Sequence, residues 1–165
     1  MPRVRDIELL LAIIDQAYDR KSWHGTNLRG SIRGLSAAEA AWRPARNRHN
    51  IWEIVVHAAY WKYAVSRRFS KAPRGSFPLK GSNWFKRPEG PKAAESAWRE
   101  DVALLQSTHE ALRAEVARLK GGVLGRTPRR SQVSNFDLLA GIAAHDLYHA
   151  GQIQLLKRLR HRVAT

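Results

Sequence analysis

The chain contains no cysteine among its 165 residues. That absence excludes disulfides, thiolate metal ligands and a thiol nucleophile of the chain's own, so a zinc-like site must be built from histidine, carboxylate and water. Acidic residues are scarce too, 14 against 29 lysines and arginines. A carboxylate-bridged diiron bundle needs several glutamates and paired Glu-x-x-His steps, and the nearest match here is the single Asp146-x-x-His149. No apolar run is long enough to span a bilayer, and Met1-Pro2-Arg3-Val4-Arg5-Asp6 lacks the apolar stretch and cleavage site of a secretory signal. A cytoplasmic protein without a membrane partner is expected. No strand candidate and no internal repeat competes with a helical reading, so residues 1–165 are expected to form one domain around one core.

What the chain has in excess is positive charge, a formal +15 with an isoelectric point near 11.2. Such a charge attracts polyanions through counterion release. The basic residues are nevertheless spread out. Clusters occur at Arg67-Arg68 with Lys71 and Arg74, at Arg126, Arg129 and Arg130, and at Lys157, Arg158, Arg160 and Arg162, none in a nucleic-acid-binding motif. The last run also complements the C-terminal end of a helix dipole. A basic module that holds nucleic acid or another acidic partner is the alternative function to be tested.

Helical periodicity organises most of the chain. Ile7, Leu10, Leu11, Ile14 and Tyr18 predict a helix over 5–18, and Ser22 predicts the cap of a second helix to about Arg33, weakened by Gly25 and Gly30. Ser36 with Glu39 fits a capping box for a short helix to Trp42 that Pro44 stops. After the polar run Arg46 to Asn50, a helix to Phe69 presents Ile51, Ile54, Ala58, Trp61 and Val65. Residues 70–91, rich in Gly, Pro, Ser and Lys, predict a long loop whose Phe77, Trp84 and Phe85 either cover a pocket or pack on the bundle. Trp98, Val102, Leu105, His109, Leu112, Val116 and Leu119 then hold heptad steps up to Gly121-Gly122. Ser134 with Asp137 opens a last long helix whose expected buried stripe is Leu138, Ile142, His145, His149, Gln152, Leu156 and Leu159.

The histidines carry the chemistry. His145 and His149 stand one turn apart on one helix face, a spacing at which two imidazoles can grip one divalent transition metal if a third ligand arrives from another element. The pair alone is a weak motif. Its place on the apolar stripe strengthens it, and His57 falls on the edge of the stripe of its own helix, so it also points inward. A single inward histidine is more often satisfied by one backbone carbonyl, but three leave several buried nitrogens that one metal would satisfy together. His109 reads as a core imidazole. His49 is about 12 Å from His57 along the helix axis, too far for one mononuclear site, and His24 is only a reserve.

The segments Ile51-Trp52-Glu53-Ile54-Val55-Val56-His57-Ala58-Ala59-Tyr60-Trp61 and His145-Asp146-Leu147-Tyr148-His149-Ala150-Gly151-Gln152-Ile153, with Trp23-His24-Gly25 and Ala40-Ala41-Trp42-Arg43-Pro44 upstream, resemble the DinB/YfiT-like superfamily. The resemblance implies an all-α four-helix bundle with short additional helices and a long loop between its second and third long helices. It implies His57, His145 and His149 as ligands of a divalent metal, nickel or zinc first and iron or manganese as alternatives, in a homodimer. It also implies a small-molecule substrate and an external thiol of the bacillithiol or mycothiol type, in a transferase or isomerase. A metal-assisted hydrolase satisfies the same ligands, because a metal held by neutral groups keeps its charge and open positions. Glu53 and Gln152 are candidate helpers, and Asp146 and Tyr148 candidate flanking supports.

Overall fold

The computed structural model describes residues 4–73, 75–120, 122–129 and 131–163. Met1 to Arg3, Arg74, Gly121, Arg130, Ala164 and Thr165 lie outside them. Six α-helices follow in order: α1 (Val4–Tyr18), α2 (Leu28–Ser31), α3 (Ala37–Ala41), α4 (Ile51–Phe69), α5 (Glu95–Ala117) and α6 (Asn135–Val163), with a 3₁₀ turn at Gly90–Lys92 before α5. There is no strand among the described residues. The four long helices pack in a square in which α4 touches α5 and α6, and α1 touches the same two from the opposite corner. That is the expected all-α bundle, and the short α2 and α3 close one end against α6, α4 and α5.

Local chemistry explains most of the boundaries. Ser36 and Glu39 form the expected capping box at α3, and Asn50 with Glu53 forms a second one at α4, each satisfying backbone N–H groups that the first turn leaves open. Ser134 Oγ accepts from the Asp137 N–H at 3.1 Å at the start of α6. The second helix is shorter than its sequence suggests. Ser22 caps nothing and instead donates to the Gly25 carbonyl; Gly25 takes φ +97°, and only Leu28–Ser31 is helical, capped by Asn27. The backbone turns left-handed where the propensity of glycine is weakest for helix, and Trp23 is left wholly in solvent.

The register of α6 also differs from the expected stripe. Its buried residues are Leu139, Ile142, Ala143, Asp146, His149, Ala150, Ile153 and Leu156, while Leu159 is exposed. The core face is thus turned by about one position, which puts a carboxylate at its centre and His145 on its flank. A lysine meets it. Lys62 of α4 is fully buried and ion-paired with Asp146, its Nζ lies 5.0 Å from the centre of the Tyr18 ring, and Tyr18 stacks on His109 at 3.7 Å. Each long helix therefore contributes one side chain to a polar layer. On one side of it lies the apolar cluster of Trp52, Val55, Leu105 and Ile153, and on the other that of Leu10, Ile14, Leu112 and Leu139.

Candidate metal centre

Because α4 and α6 are neighbours in the square, a residue on the edge of each buried face can meet across their seam. His57 does so from α4, and His145 and His149 from α6. Their Nε2 atoms converge: His145 Nε2 lies 3.0 Å from that of His57 and 3.0 Å from that of His149. His57 and His149 are buried and His145 half-buried, and one nitrogen from each ring falls within 4.8 Å of the others.

The outer nitrogens settle the protonation of two rings. His57 donates its Nδ1–H to the Asn83 carbonyl at 2.8 Å, and His149 donates its Nδ1–H to Gln152 Oε1 at 2.7 Å. Each neutral ring then presents a bare lone pair at Nε2. His145 Nδ1 is buried without a hydrogen-bond partner. In either tautomer His145 leaves the cluster unbalanced: with its proton on Nε2 it can donate to one facing lone pair but not both, and with its proton on Nδ1 three lone pairs face each other. A divalent cation removes the conflict. Ligands at about 2.0–2.1 Å from an ion, at angles near 90–110°, stand about 2.9–3.4 Å apart, and the 3.0 Å separations fall within that range. The residues present fit a metal.

All three rings are held neutral. Burial, then the proximity of His149 and His57 and the Lys62 charge, pushes His145 down to about 3. Burial pushes His149 down to about 4 against the opposing bond to Gln152, and burial lowers His57 against the opposing Asn83 carbonyl. Neutral imidazole is the form that ligates.

The long loop is part of the centre, and both readings of its aromatics hold. Phe77 and Phe85 are buried against Tyr60, whereas Trp84 stacks on His57 at 3.9 Å and on His49 at 3.6 Å. Asn83, at φ +65°, gives its carbonyl to His57 while its side chain accepts from Trp61 Nε1 at 2.9 Å. Asparagine is among the few residues that enter the left-handed region readily. Sequence reasoning missed Asn83; the Gly81-Ser82-Asn83 run signals a turn, but nothing local says what its carbonyl reaches.

Of the two candidate helpers, Gln152 is at the site, bonded to His149. Glu53 is engaged elsewhere: Arg43 grips it with two bonds of 2.9 and 3.0 Å, His49 Nδ1 is 3.0 Å away, and its carboxylate caps α4. Tyr148 is exposed beside His149, Asp146 points into the core, and His109 is buried on Tyr18, apart from the triad. A cleft of about 600 Å³ opens beside His149, the triad residue that lines it, together with Gln152, Tyr148, Trp84, Arg48 and an apolar wall from α6.

A helical bundle with three neutral, inward imidazoles on two adjacent helices defines a class of candidate metal proteins. Within that class, the sequence model of the DinB superfamily matches residues 21–153, and the chain belongs to this superfamily, whose members often bind metals. No curated protein and no solved structure matches it. No helix among the described residues is long and apolar enough to cross a membrane.

Proposed function

We propose that the protein is a divalent-metal enzyme with a mononuclear centre held by His57, His145 and His149. The observation that carries this reading is the convergence of three Nε2 atoms whose rings are neutral, two of them with their Nδ1–H groups committed to other acceptors. A divalent ion bound there supplies Lewis acidity, which lets a water or thiol ionise near neutral pH. His57, His145 and His149 would bind it; Asn83 and Gln152 fix the orientation and proton of the His57 and His149 rings; Trp84 covers one face of His57. Three protein ligands beside an open cleft support a catalytic site over a closed structural one. With no cysteine in the chain, a thiol-dependent transfer draws its thiol from outside, and metal-assisted hydrolysis uses water in the same position. An all-imidazole set suits nickel and zinc, and copper or iron as well.

Elemental analysis by mass spectrometry of tag-free protein beside His145→Ala tests the centre. One metal per chain that is lost in the variant is expected. No metal, even after anaerobic reconstitution with nickel, zinc and iron, sinks the reading. We also infer a homodimer: Leu9, Ile13 and Phe136 are exposed apolar residues that line one cleft between α1 and the start of α6. Sedimentation that stays monomeric at all concentrations overturns that assignment.

A further inference from the structure

Beside the triad lies a second cleft of about 580 Å³, and it shares Arg48, His49 and Trp84 with the first. Five cations line it, Arg43, Arg46, Arg48, Lys86 and Arg87, against the two carboxylates Glu53 and Glu89. Both carboxylates are already held by Arg43, and Arg87 is paired with Asp101 at 2.5 Å. Arg46, Arg48 and Lys86 are left exposed with no acidic partner among the described residues. Some basic residues elsewhere have structural work: Arg160 pairs with Glu39, Lys157 donates to the Ser31 carbonyl and Arg67 to that of Ala72.

Position separates these three cations from the general basicity of the chain. They stand in or beside a concavity that adjoins the cleft lined by His149, where the walls of a cleft focus the field more than an open surface does. The joint between the two clefts is the edge of the Trp84 ring, whose faces are covered by His57 and His49.

We propose that the metal cleft takes a small organic anion, with its reactive end at the triad and its anionic group held by Arg46, Arg48 and Lys86. The inference rests on the metal-centre reading above and names the substrate class of that centre. Arg48, which lines both clefts, is the specificity-determining residue, and Arg46 and Lys86 raise the local anion concentration.

Cobalt(II)-loaded full-length protein, titrated at low salt, tests it through the visible cobalt–thiolate charge-transfer band. The probes are mercaptosuccinate, which carries two carboxylates, and neutral 2-mercaptoethanol. Exposed ion pairs contribute modestly, so a preference of about tenfold for mercaptosuccinate is expected from the three together. Arg46→Gln/Arg48→Gln/Lys86→Gln should abolish that preference, while Arg126→Gln/Arg129→Gln/Arg158→Gln, which removes the same charge elsewhere, should keep it. Equal affinity of the wild-type protein for both thiols overturns the inference and leaves the metal centre standing, as does equal loss in both triple variants. Displacement of mercaptosuccinate by a single-stranded oligonucleotide at matched anion concentration would assign the cations to nucleic acid instead. Absence of cobalt d–d bands before any thiol is added removes the metal reading and this inference together.

Discussion

Replacing Lys62 by methionine removes the one partner that the buried Asp146 carboxylate has among the described residues. Both side chains are shielded, at 0% and 1% exposure, and Asp146 Oδ1 has no hydrogen bond of its own, so nothing else compensates the charge. Burial raises the Asp146 pKa and Lys62 opposes it. Breaking one side of such a pair costs about 3–5 kcal/mol, which in a chain of this size lowers Tm by on the order of 10 °C. Asp146→Leu leaves Lys62 buried with its charge facing the Tyr18 ring, a contact that neutralises no charge even at about 2 kcal/mol when desolvated, and should destabilise to a similar degree. The double variant Lys62→Met/Asp146→Leu fills the same space with apolar groups and should return to within about 1–2 kcal/mol of the parent. Urea unfolding of all four proteins, made metal-free with chelator so that metal linkage does not enter, gives the cycle, and unchanged m-values confirm that the same surface unfolds. Singles that each cost less than about 1 kcal/mol, as exposed pairs do, refute the buried-pair reasoning. So does a double variant as unstable as the sum of its parts.

His109, pushed down to about 3 mainly by burial, makes the fold acid-sensitive. Its folded pKa lies below the unfolded value of about 6.5, so its contribution is complete above pH 6.5 and falls by about 1.4 kcal/mol per unit as pH drops toward 3; His109→Phe, which keeps the stack on Tyr18, should flatten the stability profile of metal-free protein by one proton in that window. An unaltered slope would show that His109 protonates in the native state. Gln152→Ala, which frees the His149 Nδ1–H, should weaken metal affinity about 10–100-fold while Gln152→Glu keeps it, read by competition with a chromophoric chelator; equal losses would make Gln152 a packing residue. At Asn83, held at φ +65°, glycine should preserve metal retention and valine should impair it through left-handed strain; identical metal content in the two variants would detach the loop from the centre.

Much of this was legible in the sequence because it is local. The capping box of Ser36 with Glu39 needs only residues three apart, and the heptad steps from Trp98 to Val116 need one helix. The His-x-x-x-His pair is of the same kind. The box of Asn50 with Glu53 is equally local but went unread. What else escaped reading depends on partners far along the chain. The short α2 follows from Gly25 turning left-handed, and the role of Asn83 from a carbonyl that meets a ring 26 residues earlier. A glutamate one turn before His57 invites a role at the centre, but Arg43 and the start of α4 hold Glu53.

The polar layer had a signal that periodicity alone could reveal. Ile51, Val55, Ala58, Lys62 and Val65 advance in steps of 4, 3, 4 and 3 along α4, so Lys62 occupies a seam position; Leu139, Ile142, Asp146 and His149 do the same along α6 with steps of 3, 4 and 3. A charge of each sign at core positions on neighbouring helices is a pairing prediction that an apolar-only stripe hides. The pair also bears on the centre. Asp146 follows His145 directly, so the rotation of α6 that pairs it with Lys62 is also the one that carries His145 and His149 to the seam with α4. Buried ion pairs are best attested as devices that fix register, and this one is expected to favour that rotation. The charge at the heart of the core thus sets where the ligands stand, and variants of the pair that stay folded should lose metal affinity although neither residue touches the metal-binding nitrogens.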